Sequence, residues 1–485
     1  MLGRTERHLG QLLGGTAANR AEALGMEARQ LTAKKSASAE LVLPPEFTWR
    51  DYAIFLLTIA AQIEHSLMVQ YLYAGYSLGG SQVPKEHHHE VAAWRQIILG
   101  IAKEEMGHLV TVQNALRFLG APLGLDRQDY PWDSQFAPYP FTLERLTLAS
   151  LAKYVVVESP ETWPSDVKPA EKAEIERFAA GYGGTHINRV GTLYAALIEI
   201  IGDPKRVPLS ALHPETYPLQ ASWDEWGRGY GKGARGSSIA GTTKTPDVLV
   251  LRMASRTDAV QALKAVAEQG EAPDATSASD PEGSHFRRFL EIFSAFPKDA
   301  SFDPARPIPD NPAAPGVPAG EGQTQIDHPE GGLWANIFNI RYRMLLSYLA
   351  HTYEDPECAT EGIEARRGLI VNRMFGEMYN LRSVAAILVH LPITEGSSQC
   401  CGPTFQMPYT LQLPESDAGY WTLHLDLIAA CAALLAEARR LGNSERAEYA
   451  RTLENLDAST RKEMELYAAA NSVRTEAHRA TGVVR

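Results

Sequence analysis

The residues best placed to do chemistry in this sequence are two carboxylates and an imidazole on neighbouring helical stretches. Glu64 stands in Gln62-Ile-Glu-His-Ser-Leu67, and Glu105 and His108 stand in Ile101-Ala-Lys-Glu-Glu-Met-Gly-His108. The helical neighbours of Glu64, at three, four and seven residues, are Leu57, Ala60, Ala61, Leu67, Met68 and Tyr71, so its carboxylate points into a core. A buried, unpaired carboxylate costs several kcal/mol, so Glu64 must be neutral, ion-paired or bound to a cation. Glu105 and His108 are three residues apart and share one helix face, where Glu105 lies among Ile98, Ile101, Ala102, Leu109 and Val112. That spacing presents two ligands to one metal ion. Glu104, among Ile97, Gly100, Gly107 and Thr111, fits a supporting or rim position better.

Two helices must carry these groups. One pattern runs from Tyr52 to Leu78 and is closed by Gly79-Gly80; the next runs from Glu90 to Leu119 and is closed by Gly120 and Pro122. The short connection makes them antiparallel neighbours, with Glu64 across from the Glu105/His108 pair. A bundle of this kind needs a second set of ligands from later helices. Candidates are Glu199 in Leu197-Ile-Glu-Ile-Ile201, Glu271 in Gln269-Gly-Glu-Ala272, and His285 in Ser284-His-Phe-Arg287. Periodicity alone does not choose them over solvated or ion-paired roles.

Further helical patterns cover Leu143 to Glu158, Pro169 to Ile201 with an interruption at Gly181, Gly183 and Gly184, Pro246 to Gln269, and Ser284 to Phe296. After a stretch dense in Pro and Gly come Leu333 to Tyr353, Ile363 to Leu391, Tyr420 to Leu441 and the more polar Ser444 to Thr475. Alternating strand runs are missing, so the fold class read here is all-α. The expected organisation is an N-terminal extension over 1–45, a metal-binding bundle over 46–296, a linker over 297–333 and a C-terminal helical region over 334–485.

The chain has 485 residues, 45% of them hydrophobic and 21% charged, which excludes wholesale disorder. A net charge of -12 argues against a nucleic-acid partner, which needs a basic face. No apolar run looks long enough to cross a bilayer and no secretory leader is recognisable, so no membrane partner and a cytoplasmic location are expected. Four cysteines, none in a C-x-x-C pair, make no disulfide framework, and the adjacent Cys400 and Cys401 read as part of a turn. His87-His88-His89 reads as a solvated loop run, Tyr71, Tyr73 and Tyr76 as core or the wall of an aromatic pocket, and Glu377 as a structural ion pair with an arginine. No phosphate loop and no G-x-S-x-G elbow is present, which leaves nucleotide hydrolysis and serine esterase chemistry unsupported.

The stretches Gln62 to Tyr76 and Ile101 to Leu109 resemble the ferritin-like domain found in iminophenylpyruvate dimer synthase of violacein biosynthesis and in the chromopyrrolate synthases. Leu119-Gly-Ala-Pro122, Val157-Glu-Ser-Pro160, Val190-Gly-Thr-Leu-Tyr194, Glu268-Gln-Gly-Glu271, Ser284-His-Phe286, Asn380-Leu-Arg382 and Phe405-Gln-Met-Pro-Tyr409 support the resemblance. It implies a ferritin-like four-helix bundle elaborated by a second, C-terminal helical layer, and a centre of two non-haem irons. Glu64, Glu105 and His108 would form one ligand set, with Glu271 and His285 in the second; haem beside the iron is left open and has no support in the sequence. Where the family's third helix is expected to carry an acid, this chain has Thr192. Glu199, seven residues on, is the expected replacement, with Glu158 as the alternate. The implied activity is oxidation of a small aromatic, amino-acid-derived molecule with O2 or peroxide, such as oxidative coupling of imines of a 2-oxo acid; the partners expected are that substrate and O2, with a homo-oligomer left open. The competing reading is a non-catalytic iron-binding module, or a helical scaffold whose metal site has degenerated.

Overall fold

A computed structural model describes residues 41–481, apart from 133–138, 161, 183–189, 223–247, 272–282, 300, 317, 355–365, 408–410 and 412. Cys358, most of the N-terminal extension and part of the Gly181 to Gly184 interruption lie outside the described residues.

Helix α1 (Trp49–Ser77) begins where the Thr48 hydroxyl accepts the backbone N–H of Asp51, satisfying a donor that the first turn leaves unpaired. It stops at Gly79 and Gly80, whose φ values of 96° and 122° are open to glycine alone at low cost. Helix α2 (His88–Phe118) returns along it. The two approach closely because Gly75 has no side chain: a Cβ there would stand 2.8 Å from the Leu99 side chain. The histidine run does not form a free loop. His87 stacks on Phe302 at 4.1 Å, and His88 and His89 open α2.

Short helices α3 (Leu148–Val157) and α4 (Pro169–Ala179) follow, and α3 is started by a capping box between Thr147 and Ser150. Helix α5 (Val190–Gly202) packs on α1, and α6 (Arg256–Glu271) packs on α5 and α2. These four, α1, α2, α5 and α6, make the bundle. Helix α7 (His285–Ala295), capped by Ser284, closes one flank by packing on α3 and touching α2 and α6.

The second layer is α8 (Pro329–His351), α9 (Arg366–Leu388), α10 (Asp417–Leu441) and α11 (Ser444–Thr481). Helix α8 packs on α9 and α10, and α10 on α11. Arg341 of α8 is fully buried and pairs with Glu377 of α9 and Asp457 of α11, the structural ion pair expected for Glu377.

Two features depart from the sequence reading. The segment expected to be a linker is built into the core: Ala305, Ile308, Ala313 and Ile326 are buried, and β1 (Pro312–Ala313) pairs in parallel with β2 (Thr324–Gln325). Its Pro-rich composition hid this because its few apolar residues follow neither helical nor strand periodicity. Secondly, α1 and α10 each contain an 18-residue stretch long and apolar enough to cross a bilayer. In α1 that stretch is 72% buried within the protein, which accounts for its apolarity through bundle packing; in α10 the share is 39%.

Candidate metal centre

Glu64 projects from the middle of α1 and is 2% exposed; Glu105 and His108 project from α2 and are equally buried. One oxygen or nitrogen of each lies within 4.8 Å of the others. A second group of the same size joins Glu105 to Glu158, the residue that ends α3, and His285, the first residue of α7. Glu105 therefore belongs to both groups, and its two oxygens divide between them. Oε2 lies 3.2 Å from His108 Nδ1, and Oε1 lies 2.7 Å from His285 Nδ1.

The two halves repeat one pattern. Glu64 lies 3.4 Å from His108 Nδ1, and its other oxygen accepts the Tyr194 hydroxyl at 2.5 Å. Glu158 lies 3.7 Å from His285 Nδ1, and its other oxygen accepts the Tyr71 hydroxyl. Each imidazole also turns Nε2 to an acceptor: His108 to Gln269 Oε1 at 2.9 Å, His285 to Glu104 Oε2 at 3.0 Å. An acceptor at Nε2 keeps a ring proton there, so that loss of the second proton to an incoming ion would leave the Nδ1 lone pair facing the carboxylates, the tautomer a metal ligand needs. The rings stack with centroids 5.4 Å apart.

Whether such residues suit a metal is tested by His285 Nδ1. It is buried and close to Glu105, yet no hydrogen bond satisfies it. A buried nitrogen left in this way costs free energy that a cation recovers. Three carboxylates and two imidazoles form a mixed O/N donor set that suits iron or a similar transition metal.

Glu104, read from sequence as a supporting or rim residue, is 1% exposed, bonded to both Arg288 nitrogens and to His285. Burial alone would raise its pKa, but Arg288 and His285 hold it down at about 2.

Glu199 is not at this centre. Its carboxylate is largely exposed and bonds Arg206 at 2.7 Å. Thr192 is exposed as well. Helix α5 buries Leu193, Tyr194, Leu197, Ile200 and Ile201, so positions 192 and 199, almost two turns apart, share the outward face. What α5 supplies is the Tyr194 hydroxyl, which the sequence reading missed, and Glu158 takes the place expected of Glu199. Glu271 ends α6 and its side chain is outside the described residues. The backbone before it borders the centre: a Cβ on Gly270 would lie 3.3 Å from Glu158 Oε2.

Without metal the cluster holds protons. Burial and the neighbouring Glu105 raise Glu64 to about 8; burial would lower His108, but Glu105 outweighs it and brings it to about 10. Both must lose a proton to ligate, so metal binding should release protons and weaken as pH falls. Because His285 is raised in the same way, apparent affinity for Fe(II) is expected to climb steeply with pH below about 8, where each ligand set gives up protons on binding. Calorimetric titration under nitrogen, in two buffers of different ionisation enthalpy, reads the released protons directly. Binding without proton release would show that these groups are not the ligands.

Beside the centre lies a narrow cleft with a free volume of about 30 Å³. Ile63 and Leu67 of α1 and Tyr154 and Val157 of α3 form its inner wall, next in sequence or one turn from Glu64 and Glu158. Trp132, Tyr139 and Phe141 make an aromatic side, and Gln70 and Lys153 a polar one, where Lys153 pairs with Glu144.

Residues 57–294 match the ferritin-like family model. Dichlorochromopyrrolate synthase of Lentzea aerocolonigenes is 26% identical over 385 residues, covering 71% of this chain and 35% of that protein's length. The chain thus spans about a third of the relative it matches. No solved structure is significantly similar to it.

Proposed function

Because residues 57–294 belong to the ferritin-like family, we propose that this chain is an iron-dependent oxidase with two non-haem irons, acting on a small aromatic, amino-acid-derived molecule in secondary metabolism. The observation that carries this reading is Glu105, whose two oxygens serve two symmetric ligand groups, as a carboxylate shared between two metal ions must. Glu64 and His108 would complete one position, and Glu158 and His285 the other. Two divalent ions with three carboxylates retain one positive charge, and Glu271 is the candidate for a fourth carboxylate by its place in the chain.

Iron bound there supplies one-electron redox chemistry and activates dioxygen or peroxide as the oxidant. The protein's own share is orientation and exclusion of water. Tyr71 and Tyr194 fix the outer oxygens of Glu158 and Glu64, and Gln269 and Glu104 fix the imidazole planes. The buried tyrosines and aliphatic side chains keep solvent from the reacting centre. The aromatic lining of the cleft beside it matches a planar, partly apolar substrate, which the narrow cleft would have to open to admit. Oxidative coupling of two imines of an aromatic 2-oxo acid fits this setting: one carbon–carbon bond forms, and two electrons and two protons pass to dioxygen, giving hydrogen peroxide.

Iron analysis and oxygen uptake test the proposal together. Protein made with iron present should hold about two irons per chain, falling towards about one in Glu158→Ala and remaining near two in Glu199→Ala. Imines of phenylpyruvate or indole-3-pyruvate should then drive oxygen consumption that stops on iron removal. Full iron occupancy with no iron-dependent consumption of oxygen or peroxide would sink the oxidase reading and leave an iron-binding module.

A further inference from the structure

The two halves of the centre match in their ligands but not in what stands behind the imidazoles. His108 turns Nε2 to Gln269 Oε1 at 2.9 Å, the carbonyl of a neutral amide on α6. His285 turns Nε2 to Glu104 Oε2 at 3.0 Å, a carboxylate on α2. Gln269 and Glu104 are each 1% exposed, so bulk water does not even out the difference between them.

A third side chain keeps that carboxylate in place. Arg288 stands three residues after His285 on α7, and its guanidinium donates through Nη1 to Glu104 Oε1 at 3.2 Å and through Nη2 to Oε2. Oε2 therefore accepts from the guanidinium and from the His285 ring at once. A fork of this kind fixes the plane of the carboxylate as well as its charge. Hydrogen bonds to an ionised acceptor are about twice as strong as those between neutral groups. Glu104 thus draws the Nε2 proton of His285 more strongly than the Gln269 amide draws that of His108. The stronger pull leaves more electron density on His285 Nδ1, the nitrogen 2.7 Å from Glu105 Oε1, and makes it the better donor to a cation.

We propose that Glu104 and Arg288 are positioning residues that make the two metal positions unequal: the one with Glu158 and His285 holds its ion more tightly, and the one with Glu64 and His108 exchanges it more readily. The inference rests on the two-iron reading of the centre. Both residues act through His285, and the neutral amide of Gln269 provides no counterpart on the other side. A resident ion on one side and an exchangeable one on the other divides the labour of the centre between its halves.

The test is titration of the full-length, metal-free protein with Fe(II) under nitrogen, against a competing chelator. Two variants isolate the positions and remove repulsion between neighbouring ions from the comparison. Glu64→Ala keeps the His285 position and Glu158→Ala keeps the His108 position, so each should take up about one ion. The ion in Glu64→Ala is expected to be held at least about tenfold more tightly. Adding Glu104→Gln, which keeps the size and an acceptor oxygen but not the charge, should abolish that advantage in Glu64→Ala and leave Glu158→Ala unchanged. Because Glu104→Gln strands the buried guanidinium, Glu104→Gln/Arg288→Met serves as the second form of the change and should act in the same way. A general loosening of the fold would weaken both positions together. Equal affinities in Glu64→Ala and Glu158→Ala, or equal weakening of both by the added change, would overturn the inequality and leave the two-iron centre standing. If both variants still took two ions, or neither took any, the two-iron centre would fall and this inference with it.

Discussion

Glu105→Ala is expected to remove essentially all bound iron, not half of it. Every other ligand of the centre serves one position, but Glu105 gives Oε2 to the side of Glu64 and His108 and Oε1 to the side of Glu158 and His285. Its loss leaves one carboxylate and one imidazole on each side, too few to hold a labile divalent ion. The carboxylate also offsets the positive charge of the paired imidazoles, so the variant loses attraction for cations as well as two donor atoms. Glu64→Ala removes donors from one side alone and should retain about one iron per chain. Elemental analysis of the two variants, with circular dichroism to show that the helices survive, distinguishes them. Equal retention of iron by both would mean that Glu105 is not shared.

The largest effect on stability is expected at Arg341. Its guanidinium is fully buried, bonds Asp457 through both terminal nitrogens at 2.8 and 2.5 Å, and holds Glu377 at 3.0 Å. It thereby ties α8, α9 and α11 together. Arg341→Met leaves two carboxylates facing each other out of water, and breaking a buried pair in this way costs about 3–5 kcal/mol. Burial already lifts the pKa of both acids against the pull of Arg341, so both should take up protons once it is gone. Replacing all three residues with apolar side chains of similar volume should recover most of the loss, because the stranded charges go too. Chemical denaturation of the single and triple variants measures this; a single variant as stable as the native protein would show that the network contributes nothing.

How much of the centre could be read from the sequence depended on where each ligand lies in its helix. Glu64, Glu105 and His108 lie in the middle of long helices, where the apolar residues on each side define a face and a carboxylate within it stands out. Glu158 and His285 sit at helix ends, one turn or less from a loop, and periodicity carries no information there. The choice of Glu199 followed ligand chemistry, since a carboxylate holds iron better than a hydroxyl. The sequence held a contrary sign: Leu193, Tyr194, Leu197, Ile200 and Ile201 form an apolar stripe that excludes position 199, and Tyr194 is its one polar member. Helices α1 and α2 were legible to within a few residues, because Gly79-Gly80 and Gly120 stop the chain in ways few other residues permit, whereas the helix read from Pro246 begins only at Arg256. The packed segment between β1 and β2 was not, since its contacts are long-range and set by partners such as Tyr130, which donates to Pro312 O from 182 positions away.

The unequal spread of the ligands along the chain has a consequence for the order in which the protein is built. Glu64, Glu105 and His108 fall within a single helical hairpin, available once the chain has emerged a little past residue 118. Glu158 and His285 are joined to it only after most of two further hairpins have been made, and Tyr194 and Gln269 come later than the groups they steady. Loop closure of that length is slow and entropically costly compared with pairing two adjacent helices. During synthesis, one half of the centre can therefore take up an ion early and serve as a fixed point on which the later helices dock. The other half closes only when α7 is in place, with the whole second layer, α8 to α11, still to be made.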